Sequence, residues 1–369
     1  MPLERMFITC GGTGGHFYPG LAVAHKFKER GGKVTLLLSG VNAKAQAKIA
    51  RSQGIEAEIL PFMPHPLKKP FKFISGAVGG FFKTLKLTKK HSPQALLGMG
   101  SFASLPAVLG TKMKGIPLFL HDGNARIGRA NRVFSRIAVS IAAAFPCVNE
   151  NKAKAPFSVI GMPLRQKLID SRNLKKTEAI RELNQRFGTN LDENRRTILV
   201  FGGSQGAEIF NNYFPQAFRE FEDYDFQVLH LSGKNKISTP KEIYSGAKFQ
   251  YLLLESSELM ELFLAAADLA VCRSGGSSLS ELALFGLPAV LIPYPQSAEG
   301  HQVDNAEVFV KAQAAVLVLN QNLNISKAKE LVSDFLNQPG KWNSMAENMA
   351  SLARPDAAET LLEMIDKEV

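Results

Sequence analysis

The chain has 369 residues, 45% hydrophobic and 21% charged, which is apolar material for more than one domain and excludes a disordered polyampholyte. Cys10, Cys147 and Cys272 are far apart and form no CxxC pair, so neither a disulfide framework nor a zinc site is expected, and a reducing, cytosolic setting is the simplest reading. The net charge of +11 is unevenly placed: Ile59 to His121 contains no Asp or Glu but nine lysines (Lys68, Lys69, Lys72, Lys83, Lys86, Lys89, Lys90, Lys112 and Lys114), so this surface is expected to meet something anionic.

In chain order, Met6–Cys10, the turn Gly11-Gly12-Thr13-Gly14-Gly15 and an apolar pattern at helical spacing predict strand, turn and helix. The apolar run is short and Glu4 precedes it, which reads as a first strand and not as a secretory signal. Strands are predicted at Val34–Leu38, Ala95–Gly98, Leu118–Leu120 and Ser158–Ile160. The uncharged run His91–Thr111 carries Pro93 and Pro106 and does not read as a membrane-spanning helix. Gly161-Met162-Pro163 suits a junction, because Pro163 restricts the residue before it. The opening pattern then recurs as Thr197–Phe201, Gly202-Gly203-Ser204-Gln205-Gly206 and a helix. Further strands are expected at Gln227–Leu231, Phe249–Leu253, Leu269–Val271 and Ala289–Ile292. Pro355 and Asp356 start a last helix. Apolar strands alternating with helices predict parallel sheets covered on both faces. The expected fold class is α/β, with two Rossmann-like doubly wound domains facing a cleft. Their spans are 1–161 and 162–354, and the helix 355–369 rejoins the first.

A turn without side chains lets backbone N–H groups approach an anion, and the following helix presents its positive end. Neither glycine-rich turn contains G-K-[ST]. In the first, Phe17 stands where a dinucleotide fold needs a small residue, and the strand Val34–Leu38 ends in Ser39-Gly40 with no acid for a ribose. A phosphate-bearing ligand other than NAD is therefore expected; tight strand–helix packing is the alternative use of the glycines. Cys272 through Glu281 follows a strand and opens a helix. Glu281, about one turn in, can accept two hydrogen bonds from a vicinal diol such as ribose, or can complement the helix dipole. Pro293–Asn305, ending in His301-Gln302 at a helix start, is either a ligand loop or a solvated one. In Pro70–Lys90, lysines alternate with Phe71, Phe73, Ile74, Val78, Phe81, Phe82, Leu85 and Leu87. Contact with anionic lipid head groups and an ordinary amphipathic helix both fit. No RNP-like, KH-like or zinc-finger signature accompanies the positive charge, so no nucleic-acid partner is expected.

The combination GGTGGHFYPGLAVA (11–24), GMGSFASLP (98–106), GIPLFLHDGNARIGRANR (115–132), GMPLR (161–165), FGGSQGAEIFN (201–211), CRSGGSSLSELALFGLPAV (272–290) and GHQVDNA (300–306) resembles the MurG family. The resemblance implies a glycosyltransferase-B type fold. It implies inverting transfer of N-acetylglucosamine from UDP-GlcNAc to undecaprenyl-diphospho-muramoyl-pentapeptide (lipid I), giving lipid II for peptidoglycan synthesis, with no cofactor or nucleotide-bound metal. By position it assigns Thr13, Gly14 and Gly15 to the acceptor side, Asn124 to the donor sugar, Arg165 and Ser204 to phosphate, and Glu281 to the ribose. Gly276, Ser277, Ser278, Leu279, Ser280 and Gln302 would grip nucleotide and sugar, and Ser257 would meet uracil through its backbone. A base must take the acceptor proton: His16 is the candidate and Asp122 the runner-up. Asp223-Tyr224-Asp225 has the D-x-D form of metal-dependent glycosyltransferases but reads as a solvated acidic turn after Glu220 and Glu222. The departures are Met162 where the family usually has Asn, Ser101 and Leu105 where Gly is frequent, and Asp122 in H-E-x-N. The implied partners are UDP-GlcNAc, lipid I, the anionic inner-membrane surface through 70–90, and other cell-wall enzymes; the implied location is peripheral, on the cytoplasmic face of the bacterial plasma membrane. Another UDP-sugar enzyme of the same fold, such as a UDP-GlcNAc 2-epimerase or a different lipid glycosyltransferase, is the alternative.

Overall fold

The computed structural model describes residues 2–64, 69–203 and 205–369. The chain divides into two compact units, Met1–Arg165 with Arg354–Val369, and Gln166–Ala353. The first is built on seven parallel strands: β1 (Arg5–Thr9), β2 (Lys33–Leu38), β3 (Glu56–Ile59), β4 (Ala95–Gly98), β5 (Leu118–Asp122), β6 (Ser140–Ala143) and β7 (Phe157–Val159). Their order is β3-β2-β1-β4-β5-β6-β7. The second has six parallel strands: β8 (Arg196–Phe201), β9 (Phe226–Leu231), β10 (Gln250–Leu254), β11 (Leu269–Cys272), β12 (Ala289–Leu291) and β13 (Ala315–Leu317), in the order β10-β9-β8-β11-β12-β13. Both are Rossmann-like windings. The chain starts mid-sheet, moves to one edge, then returns past the start, so β1 with β4, and β8 with β11, are the switch points at whose C-terminal ends ligands bind in open α/β sheets.

Burial explains the strands. β1 sends Met6 and Ile8 into one apolar layer and Phe7 into the other, so both faces are covered and the strand reads as continuously apolar. The strands at Glu56–Ile59, Ser140–Ala143 and Ala315–Leu317 escaped the sequence reading. The first is an edge strand whose acids look like loop until their partners are seen: Glu56 accepts from Thr35 Oγ1 at 3.1 Å, and Glu58 lies 3.0 Å from Lys83 Nζ. The last helix, Ala357–Asp366, returns to the first unit. Leu361, Leu362 and Ile365 enter its core, and Arg30 binds Glu359 and, at 3.0 Å, Asp366. Gly161 is needed where this segment passes: its φ is +99°, and a Cβ would strike Arg354.

The helix Pro70–His91 has inverted amphipathicity. Its buried positions are mostly small (Gly76, Gly80, Thr84 and Thr88, with Leu87), and helix Leu105–Lys112 approaches closely at Gly80, where a Cβ would stand 2.8 Å from Pro106. Four large side chains point outward: Phe71 is 86% exposed and Phe82 63%, with Ile74 and Val78 between them. No helix among the described residues is long and apolar enough to cross a membrane.

Candidate active site

In the first unit, Thr13 is the extended N-cap of helix Gly14–Glu29, and its carbonyl accepts the N–H groups of His16 (3.3 Å) and Phe17 (3.2 Å). No side chain caps the helix, and Gly14 and Gly15 are exposed, so two amides sit at its positive end. Thr13 Oγ1 lies 3.2 Å from His16 Nδ1. In the tautomer whose Nδ1–H donates to that hydroxyl, Nε2 is the proton-accepting nitrogen. The imidazole rests against Gly100 (φ +96°), where a Cβ would stand 3.2 Å from Cδ2 and Nε2. The close-packing glycine of this turn is Gly20, not position 17: a Cβ there would stand 2.9 Å from Cys10 Sγ, while Phe17 is a core residue.

β5 delivers two buried polar side chains. Asp122 accepts the N–H of Gly128 (2.7 Å), Asn131 Nδ2 (3.0 Å) and the N–H of Asn124 (3.2 Å). Burial pushes its carboxyl above the usual range, and these donors pull the other way. Its oxygens thus organise the turn 122–131 and place Asn124, whose carbonyl also accepts from Cys147 Sγ at 3.3 Å. His121 donates through Nε2 to Gly161 O at 3.0 Å; burial lowers its pKa to about 4, and the charge of nearby His16 acts the same way. Asn131, which also donates to His121 O at 3.0 Å, is a site residue the sequence reading missed. Its only signal is an amide nine positions after an acid at a strand end. Arg165 is half-buried with its guanidinium 5.6 Å from the Tyr18 ring centroid.

The departures have local reasons. Met162 is buried, and its Cε would stand 2.7 Å from a Cβ at Gly123, so the absence of a side chain at 123 leaves room for it. Ser101 adopts φ +73°, a conformation that favours glycine, and its Oγ accepts the N–H of Ala103 at 3.2 Å. Leu105 has an ordinary helical φ of −50° and places no demand for glycine.

In the second unit, Gly203 (φ +74°) and Gly206 (φ +66°) shape the turn after β8. A Cβ at Gly206 would collide with the Ser232 carbonyl, so the turn lies directly on the segment after β9. Ser204 lies outside the described residues. The helix begins at Glu208, not directly after the glycines.

After β11, Gly275 is an extended N-cap with no side-chain cap for helix Gly276–Phe285, and a Cβ there would meet open space. Ser277 Oγ is buried with no hydrogen-bond partner. Ser278, Ser280 and Glu281 are half-buried along the same helix start. Leu279, in the same helix start, has a buried side chain that packs inward, and its N–H donates to Gly275 O at 3.0 Å. Gln302 ties the neighbouring loop down, accepting the N–H of Tyr294 (2.8 Å) at Oε1 and Ser274 Oγ (2.7 Å) at its carbonyl. Arg273, not foreseen, holds this loop by donating to the carbonyls of Ile292 (3.0 Å) and Pro293 (3.1 Å) and to Asn320 Oδ1 (2.7 Å). Its signal was a lone cation directly after an apolar strand. Ser257 follows β10, and its Oγ accepts the N–H of Leu259 at 3.1 Å.

Asp225 of the D-x-D segment precedes β9, at the sheet edge away from these loops, and lies 2.8 Å from Arg195 Nε. Among the described residues no group of three or more His, Cys, Asp or Glu is arranged to hold a metal ion.

Two Rossmann-like units, each with ligand loops at its switch point, define the glycosyltransferase-B architecture. Residues 6–143 match the Glycosyltransferase family 28 N-terminal domain and residues 197–361 the Glycosyltransferase family 28 C-terminal domain. The chain is 30% identical to a UDP-N-acetylglucosamine–N-acetylmuramyl-(pentapeptide) pyrophosphoryl-undecaprenol N-acetylglucosamine transferase of Halothermothrix orenii, over 98% of both chains. It is 32% identical to the Shewanella halifaxensis protein of the same description, over 96% of this chain and 94% of that one. Among solved structures it is similar to Acinetobacter baumannii MurG (TM-score 0.79, 24% identity, 99% of this chain and 100% of that). It is also similar in fold to Neisseria meningitidis UDP-GlcNAc 2-epimerase bound to UDP-GlcNAc (TM-score 0.72, 15% identity, 99% and 100%). The chain belongs to the MurG family of N-acetylglucosamine transferases.

Proposed function

We propose that this protein transfers N-acetylglucosamine from UDP-GlcNAc to lipid I, with inversion, giving lipid II and UDP. The observation that carries this is the uncapped helix start at Gly275–Gly276 with Glu281 beyond it, in a chain related over 98% of its length to a transferase of that description. In the reaction an acceptor hydroxyl oxygen bonds to the anomeric carbon, the bond from that carbon to the diphosphate oxygen breaks, and UDP leaves with the electron pair. His16 Nε2 takes the hydroxyl proton, while the Thr13 hydroxyl fixes the ring. Asp122 and Asn131 position Asn124 for the donor sugar. Amides at Gly203, at Gly206 and at the Gly276 helix start stabilise the charge that grows on the diphosphate, without a metal. Glu281 accepts from the ribose hydroxyls, and Ser257 and Gln302 border the nucleotide. The test is product analysis with UDP-GlcNAc and a short-chain lipid I analogue in EDTA. We expect UDP and a lipid-linked disaccharide; an epimerised sugar from UDP-GlcNAc alone, or no transfer, refutes the reading.

The enzyme would work at the cytoplasmic face of the plasma membrane. Supporting this are the outward apolar row Phe71, Ile74, Val78 and Phe82 and the exposed Lys72, Lys86, Lys89 and Lys90 on the same helix. Phe71→Ser with Phe82→Ser should abolish most flotation with anionic vesicles while leaving UDP binding unchanged. Equal flotation on neutral vesicles would defeat the electrostatic part of the account.

A further inference from the structure

The first unit holds a second cavity, of about 400 Å³, bordered by the N-terminal parts of β1 and β2, by Glu56 at the start of β3 and by the last turn of helix Pro70–His91. It lies at the sheet edge opposite the loops that carry His16 and Asn124, because those loops follow the C-terminal ends of the same parallel strands. Its size is within the range of small-molecule sites, roughly 300–1,000 Å³.

Four cationic side chains line it, Arg5, Lys28, Lys33 and Lys90, against one lining carboxylate, Glu56. Glu56 is already engaged by Thr35 Oγ1 at 3.1 Å, by Lys90 Nζ at 3.9 Å and by His91 Nδ1 at 3.7 Å. Lys28 uses one donor on Gly54 O (2.9 Å), and Arg5 uses Nε on Ser92 O (3.0 Å) and Nη1 on Glu4 (3.5 Å), so each retains N–H groups for an acceptor. Lys33 has no carboxylate within ion-pair distance among the described residues. The other ring nitrogen of His91, Nε2, is buried without a hydrogen-bond partner, and the ring meets Phe7 edge-on at 5.9 Å. The carbonyl end of helix Pro70–His91 opposes an anion here. It amounts to a fraction of one charge, against a surplus of two cations once Glu56 and the Arg5-bound Glu4 are counted.

We propose that this cavity binds a phosphate-bearing small molecule, with phosphate oxygens on Lys33, Lys90 and Arg5 beside the His91 ring. The occupant is neither donor nor acceptor of the transfer reaction, because the site sits at the far edge of the sheet; it is an effector. A soluble phosphate ester and a phospholipid head group share the recognised chemistry.

The full chain, saturated with UDP to occupy any diphosphate site of the second unit, is titrated with inorganic pyrophosphate while the His91 imidazole signals are followed by NMR. A saturable His91 shift is expected, with affinity at least tenfold weaker in Lys33→Glu and in Lys90→Glu. Both lysines are at the surface, so the variants should keep the parent's melting temperature. Vesicles with and without phosphatidic acid form the second arm: unchanged vesicle binding in Lys33→Glu assigns the phosphate to a soluble compound, and a parallel loss assigns it to a head group at the same site. No His91 shift under UDP, or a shift equal in parent and both variants, overturns the proposal. UDP affinity is recorded separately, so that failure here is distinct from failure of the transferase reading.

Discussion

The two units share a winding but build their sites from different materials. The first works through side chains: His16 on its Thr13 hydroxyl, Asp122 with its three donors, and buried His121 and Asn131 behind them. The second works through backbone: glycines at positive φ, a helix start without a cap, and side chains such as Arg273 and Gln302 that hold loops in place. The contrast fits the proposed chemistry. Moving a proton needs a titratable group at a set distance, whereas gripping a diphosphate needs amides brought close, and bulk obstructs them.

If the second unit depends on backbone approach, Gly206→Ala should be the most damaging small change. The new Cβ meets a carbonyl that cannot rotate away, and φ is +66°. A loss of about 3 kcal/mol is expected from overpacking and backbone strain together, read by urea denaturation, with UDP binding lost as well. A variant that bound UDP normally would break the contrast.

Acid probes both units. Burial lowers His121 to about 4 in the first unit and His230 to about 3 in the second. The folded pKa lies below the unfolded one in each case, so the unfolded chain takes up the proton first. Stability is therefore intact above about pH 6.5 and falls as pH drops towards the folded values. Between pH 7 and pH 5 each histidine should cost about 2 kcal/mol. Asp122, with its carboxyl raised, acts in the opposite sense lower in the carboxylate range, so the first unit regains part of its loss. Hydrogen exchange resolved by segment should show Gln166–Ala353 loosening more than the first unit below pH 5; equal loosening would remove the difference.

Smaller effects sharpen the contrast. Glu281→Gln removes a charged acceptor from the proposed ribose contact, and a rise of roughly tenfold in KM for UDP-GlcNAc with little change in kcat is expected. Ser101→Gly relieves a side chain held at φ +73°; a gain of about 1 kcal/mol in thermal stability is expected.

Most of the winding was legible, because strands such as Ala95–Gly98 are buried on both faces and announce themselves as apolar runs. Glu56–Ile59 did not, because its acids are satisfied by Thr35, Lys83 and Lys90 from elements distant in sequence. In the site, glycine turns and the helix start after β11 were visible as local patterns. Invisible were roles set by tertiary contact. Asn131 matters through Asp122 and His121, Gly20 through Cys10, and Leu279 turned inward because its helix buries that face. Met162 looked like an isolated departure until it was seen against Gly123.

The division of labour is tested most directly by measuring turnover and UDP affinity side by side in His16→Ala. Loss of a positioned base predicts turnover lower by about 10²–10⁴-fold, with the UDP dissociation constant within twofold of the parent. Turnover that survives, or an affinity that falls in step with it, would contradict the assignment of proton transfer to the first unit and nucleotide binding to the second.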